Sequence, residues 1–347
     1  MSAVNLRPRA SPNTIRLYEV KQDLDNRVSG GVACIRPGQY QTFMVLRLVL
    51  FALLAASSWS LPTYAHEGVN IEIAALGTKI QKEPQNVALY LERAALLRRE
   101  RQFAGALADL ATAQKLAPDR REITLEKGLT LAAMGQTKEA ETLLSAYLDS
   151  GLPSVSASLA RGKIREQAKR YAEARADYAA AVTLSPTPDS FLARGRMDEA
   201  LGHWDDAATG YEEGLRILSG AVVLRLALIR VEHKRGHFDR AITLVDEILP
   251  QLSFKAEWLL VRAEQHAGAA RPEKAQKDRE DALRETDERL ARRPTDLVRI
   301  MRVKALEALG RNKEALQEIE MVVQHAPNLE DARILRERIR QTKISKR

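Results

Sequence analysis

The 347-residue chain contains a single cysteine, Cys34. A disulfide framework is therefore excluded, and so is a zinc site built on cysteines. Aromatic residues make up only 5% of the chain, so it lacks the bulk for one thick core and suits many thin contacts instead. There is no glycine-rich phosphate loop, no G-x-S-x-G and no cluster of metal ligands along the sequence. The expectation is that there are no catalytic residues, no cofactor and no metal site. His233 and His237 have metal-like spacing, but Gly236 marks a turn between them, so they need not share a helix face. Charge of one sign is also scarce. The formal excess is +8, and residues 1–65 hold seven Lys/Arg against three Asp/Glu, which places four of those charges in that leader. So mild a balance gives no support to a nucleic-acid partner. No apolar run reaches the roughly 20 residues that a membrane span needs.

What the sequence does contain is a ladder of alanines. In Tyr171–Pro186, Ala174, Tyr178, Ala181 and Leu184 fall on one face of a helix that Pro186 would end. Related stretches recur at Phe103–Pro118, Trp204–Ser219, Phe238–Ser253 and Asn312–Pro327, with weaker copies around Ala140 and Ala275. The key alanines are Ala106, Ala140, Ala174, Ala207, Ala241, Ala275 and Ala315, spaced by 34, 34, 33, 34, 34 and 40 residues. A small residue at a fixed helical position lets two helices approach closely. A second helix pattern precedes each of these, starting at Val87, Arg121, Val155, Pro188, Val222, Ala256 and Asp296.

The period of about 34, the A-x3-aromatic/aliphatic step and the late proline resemble the tetratricopeptide repeat, TPR. The family's small eighth residue is matched by Ala94, Gly128, Gly162, Gly195 and Ala263, while Ile229 and Val303 depart from it. Its turn glycine is matched by Gly135, Gly202, Gly236 and Gly310, and its leading aromatic by Tyr90 and Phe191. The resemblance covers the chain from about Ile71 to its C-terminus. It implies an all-α superhelical solenoid of about seven helix-turn-helix repeats with capping helices, each unit burying its apolar face against its neighbours. Val69–Lys82 is expected to be an amphipathic half-repeat over the first unit, and Leu329–Ile344 the terminal cap. The sixth unit stands apart. Its second helix, expected over Glu273–Arg292, is six residues longer, carries Arg279 where others are apolar, and is rich in alternating charge.

Ahead of the repeats, residues 1–43 show no apolar periodicity and are expected to be disordered or untranslated. Met44–Ala65 has one basic residue, a short apolar core and a small-x-small end, the layout of a signal peptide. Translation from Met44 and cleavage after Ala65 would leave His66 as the mature N-terminus of a solenoid spanning 66–347. The protein is then expected to be exported, periplasmic or secreted, with no stable membrane span after cleavage.

Two surfaces follow from the repeat register. The seventh position reads Arg93, Lys127, Arg161, Arg194, Leu228, Arg262 and Arg302. A row of cations suggests an anion surface. Sixteen residues later, however, stand Asp109, Leu143, Asp177, Gly210, Leu244, Asp278 and Glu318. Four cations thus have an acid at a constant offset, and the one repeat with Leu at the first position has Leu at the second. That joint swap points to pairs in contact, because a lone buried charge is costly. Lys127 and Arg194 lack such an acid. In TPR proteins the first helices line a concave groove. The resemblance places there the stripe Leu91, Leu125, Leu159, Leu192 and Leu226, with Leu260 and Ile300, beside Lys163, Arg196, Arg230 and His233. The blander account is that the leucines are helix-pair core and that Lys163–Glu166 and Arg196–Glu199 are i,i+3 pairs. The reading is a non-catalytic scaffold of the envelope or secreted space that binds a peptide or partner helix in this groove. The alternatives are a regulatory or docking subunit of an envelope enzyme complex, and self-association through the sixth unit.

Overall fold

The computed structural model describes residues 64–344, with side chains over 68–341. The expected leader and signal segment fall almost wholly outside the described residues. The chain divides into two units at Asn70/Ile71, and the packing below belongs to the second. The described residues form sixteen α-helices and one 3-10 turn, with no strand among them. Helix α1 spans Tyr64–Lys82. It begins five residues before the expected half-repeat, and no proline interrupts residues 64–82.

Seven helix pairs follow. The first helices are α2 (Val87–Arg99), α4 (Arg121–Ala133), α6 (Val155–Gln167), α8 (Pro188–Ala200), α10 (Val222–Lys234), α12 (Ala256–Gly268) and α14 (Asp296–Ala308). All seven start where the register places them. Four are closed by side-chain caps: Asn86, Ser154, Thr187 and Thr295 accept from backbone N–H groups of the first turn. The second helices are α3 (Phe103–Leu116), α5 (Thr137–Asp149), α7 (Tyr171–Leu184), α9 (Trp204–Ile217), α11 (Phe238–Asp246), α13 (Pro272–Arg292) and α15 (Asn312–His325). One expectation needs correcting. The helix expected over Phe238–Ser253 stops at Asp246 and gives way to a 3-10 turn over Leu249–Gln251. Pro250, which has no N–H to donate, sits in that turn. The extended α13 covers this break. Glu285 accepts from the Lys255 backbone N–H at 2.9 and 3.0 Å, and the Arg289 guanidinium lies over the Phe254 ring at 4.6 Å. The six extra residues of the sixth unit therefore have an internal use.

Packing follows from residue size. The seven ladder alanines are all buried. The eighth position of each first helix meets a residue sixteen later on the second, and the two sizes trade off. Gly162 faces Tyr178, and a Cβ there would lie 2.9 Å from the ring; Gly195 faces Tyr211 more closely still. A Cβ on Gly128 would lie 3.0 Å from the Leu144 side chain. The departures, Ile229 and Val303, stand sixteen before the buried Val245 and Ile319. A large residue on one helix is thus matched by a smaller one on the other.

The turn between the two helices of every pair passes through one left-handed residue. It is Gly135, Gly202, Gly236 or Gly310 in four repeats, with φ of 81°, 76°, 78° and 74°. In the other three it is Arg101, Lys169 or Ala270, at 59°, 59° and 55°. The geometry of the repeat overrides the side chain's own preference there.

The offset pairs are present. Arg93 grips Asp109 with two bonds of 2.6 and 2.7 Å. Arg161 reaches Asp177 at 2.7 Å, Arg262 reaches Asp278 at 2.6 Å, and Arg302 reaches Glu318 at 2.9 Å. Leu228 and Leu244 are both buried, an apolar substitute for the pair. Several of these arginines also reach the preceding second helix: Arg161 donates to Ser145, and Arg262 to Asp246. They join three helices rather than line an anion surface. Arg194, which lacks an acid at that offset, bonds Glu213 at 2.7 Å and fills the space that Gly210 leaves. Lys127 is exposed.

The last described helix, α16 (Glu330–Ile344), keeps the register of a first helix, with the exposed Glu337 at its eighth position.

Candidate functional site

Successive first helices, such as α2 and α4, α4 and α6, or α8 and α10, touch more closely than successive second helices do. Within this unit the array therefore bends with the first helices inside, and their fifth, ninth and twelfth positions face that inner side.

The leucine stripe is in place. Leu91, Leu125, Leu159, Leu192 and Leu226 are all half-buried, one per repeat. They pack against the cores with part of each side chain and leave the rest available. Ile300, the last of the row, is buried.

The charges beside the stripe do not form the i,i+3 pairs of the blander account. They run between repeats. Arg196 approaches Glu166 of the preceding repeat at 3.8 Å. Arg230 donates to both oxygens of Glu199, also one repeat back, at 2.7 and 3.0 Å. Each glutamate is held from behind by a tyrosine of its own second helix: the Tyr178 hydroxyl donates to Glu166 at 2.6 Å, and the Tyr211 hydroxyl to Glu199 at 2.7 Å. Burial, then the hydrogen bond to an anion, pushes both phenols well above the ordinary tyrosine range. The same step recurs at the end of the stack, where Arg338 of α16 grips Glu307 at 2.6 and 3.2 Å. The signal was present in the sequence as an acid at the twelfth position followed 30 or 31 residues later by an arginine. It is invisible to a search for neighbours on one helix.

Two of the candidate residues behave unlike the rest. Lys163 is exposed, and the preceding repeat offers Ala132 where the others offer glutamate. His233 is engaged: its Nδ1 lies 2.9 Å from the Gln265 side-chain oxygen, and its ring edge meets Phe238 at 5.2 Å between centroids. It contributes to the joint between repeats five and six. His237 is turned to the buried Glu232 at 2.9 Å, so the two histidines do not share a ligand position. The tertiary fold does gather one set of potential metal ligands that the sequence did not group: Asp198, His203 and Asp206.

No helix among the described residues is long and apolar enough to cross a membrane. Helix pairs stacked in register, with a constant turn and an inner face of first helices, define an all-α repeat solenoid of the kind that serves as a protein-protein interaction scaffold. The tetratricopeptide repeat family matches residues 91–151 and 125–187, so the chain carries tetratricopeptide repeats there, and the helix pairs on either side keep the same register. Among solved structures it is similar to a tetratricopeptide repeat protein from Parabacteroides merdae, with 17% identity over 74% of this chain and 99% of that one and a TM-score of 0.47. It is also similar to yeast Tom70, with 17% identity over 83% of this chain and 61% of that one and a TM-score of 0.49. A third is YrrB, described as a TPR protein with an unusual peptide-binding site, at 16% identity over 68% and 98% and a TM-score of 0.39. A comparison with curated proteins finds no match.

Proposed function

We propose that the inner face of the first helices binds an extended peptide or a partner helix, and that the protein is a non-catalytic scaffold exported to the periplasm or the secreted space. The observation that supports the site is the half-buried leucine stripe running beside charges fixed in place. Leu91, Leu125, Leu159, Leu192 and Leu226 repeat at the spacing of the helix pairs, and Arg196 and Arg230 are already held by Glu166 and Glu199. A partner then meets apolar contacts next to pre-ordered polar groups, which lowers the entropy lost on binding. Lys163 adds a cation with no acid behind it, favouring a partner acidic at that point. Export rests on the signal-like stretch Met44–Ala65.

Peptides selected for binding to the purified protein test the site. Cross-linking should map them to the first helices, and Lys163→Glu should weaken them by roughly tenfold while leaving helix content unchanged, as expected for one charge contact reversed in sign. Footprints confined to the second helices would refute the site. N-terminal sequencing of protein from the envelope fraction should begin at His66; a full-length chain recovered only from the cytosol would refute export.

A further inference from the structure

At the turn between α8 and α9, three side chains converge that nothing above uses. Asp198 lies in the last turn of α8 and is 1% exposed. His203 immediately precedes α9, and Asp206 lies in its first turn; both are exposed. One ligand atom from each lies within 4.8 Å of the other two. A cavity of about 530 Å³ opens there, lined by His203, Asp205, Asp206 and, from the next repeat, His237 and Arg235, whose guanidinium is already paired with Asp205 at 2.8 Å and Glu232 at 2.6 Å. The Nδ1 of His237 lies 2.9 Å from the buried Glu232.

The resident cation is Arg175. It bonds the buried Asp198 carboxylate and lies 3.7 Å from Asp206. Its side chain is 40% exposed, so it can swing into solvent without opening the core. The Nδ1 of His203 stands 3.9 Å from Asp206, beyond hydrogen-bond reach. The next repeat supplies an internal comparison. At the same three register positions it carries Glu232, His237 and Arg240. The third ligand is there a cation, and the first two close on each other. Repeat four alone among these two has the full set.

We propose that Asp198, His203 and Asp206 form a site for a divalent transition-metal ion of the zinc class, with Arg175 as the counter-ion that holds the two carboxylates when no metal is bound. An imidazole nitrogen with two carboxylate oxygens suits zinc, cobalt or nickel; calcium and magnesium favour all-oxygen sets. Metal there ties the end of α8 to the start of α9 and sets the angle between the two helices.

Cobalt(II) serves as the probe, added to tag-free protein and followed by visible absorption, with zinc-dependent melting as a second readout. The wild type should develop cobalt bands and melt higher with zinc. His203→Ala, at an exposed position, should lose both responses, and His325→Ala should keep them. Arg175→Ala should bind cobalt roughly fivefold to tenfold more tightly, the worth of one partly exposed ion pair removed from competition. If stranding Asp198 prevents that variant from folding, Arg175→Gln takes its place. Absence of cobalt bands, bands retained in His203→Ala, or affinity unchanged when Arg175 is replaced would each overturn the proposal.

Discussion

The pair Arg93–Asp109 offers the cleanest measure of what joins the two helices of a repeat. Asp109 keeps 8% of its side-chain exposure and Arg93 keeps 24%. Arg161–Asp177 is a poorer choice, because Arg165 also reaches Asp177 at 2.9 Å and would shelter the acid after its partner is removed. Breaking a fully buried pair costs about 3–5 kcal/mol, and a solvent-open pair about 0–1. With one partner buried and the other a quarter exposed, Arg93→Leu is expected to cost about 2–3 kcal/mol, mostly through the stranded carboxylate. Arg93→Leu with Asp109→Leu imitates repeat five, where Leu228 and Leu244 are buried together. The double variant is expected to lie within about 1 kcal/mol of wild type, giving a coupling of about 2 kcal/mol or more. Urea unfolding followed by circular dichroism supplies the free energies. Hydrogen exchange of α2 and α3 amides accompanies it, because a terminal repeat can open separately from the rest. A coupling below about 0.5 kcal/mol, or a double variant no better than the worse single one, would refute the reasoning.

Three further outcomes follow from the same geometry. Gly195→Ala should cost about 1–3 kcal/mol by driving a methyl into the Tyr211 ring, and Tyr211→Leu in the same chain should recover much of it, as Ala94 is accommodated opposite Leu110; equal melting of both variants would contradict the size trade-off. Ala270→Gly should stabilise by about 0.5–1 kcal/mol and Gly202→Ala should destabilise by a similar amount, since one relieves and the other imposes a left-handed turn on a residue with a Cβ; unchanged melting of either would count against the strain. The phenols of Tyr178 and Tyr211 are raised in the folded protein, so the unfolded chain ionises them first, at about pH 10. Their contribution to stability is intact below that pH and is lost as pH climbs toward the folded values. Alkaline titration should show these two of the eight tyrosines ionising together with loss of helix; all eight ionising while the helices persist would refute their burial.

Much of the protein was determined by its sequence alone. The alanine spacing located every helix pair, because a contact repeated in one dimension imprints its period on the chain. The offset of sixteen from Arg93 to Asp109, or from Arg262 to Asp278, was legible for the same reason: it spans two adjacent helices joined by a turn of constant length. The early end of α11 at Asp246 was not foreseen, since Pro250 sits where the repeat expects helix and only the neighbouring α13 makes the shorter path stable. The inner face was half legible. Its leucines share a register position, but spacing along one helix offers Glu166 and Glu199 only the lysine or arginine of their own helices. Which cation a carboxylate meets depends on the rotation and closeness of the next repeat, and one sequence states neither. The same is true of Asp198 with Arg175, and of His203 with Asp206. These groups lie on three helices, and only the stacking of α7, α8 and α9 decides that they share one space.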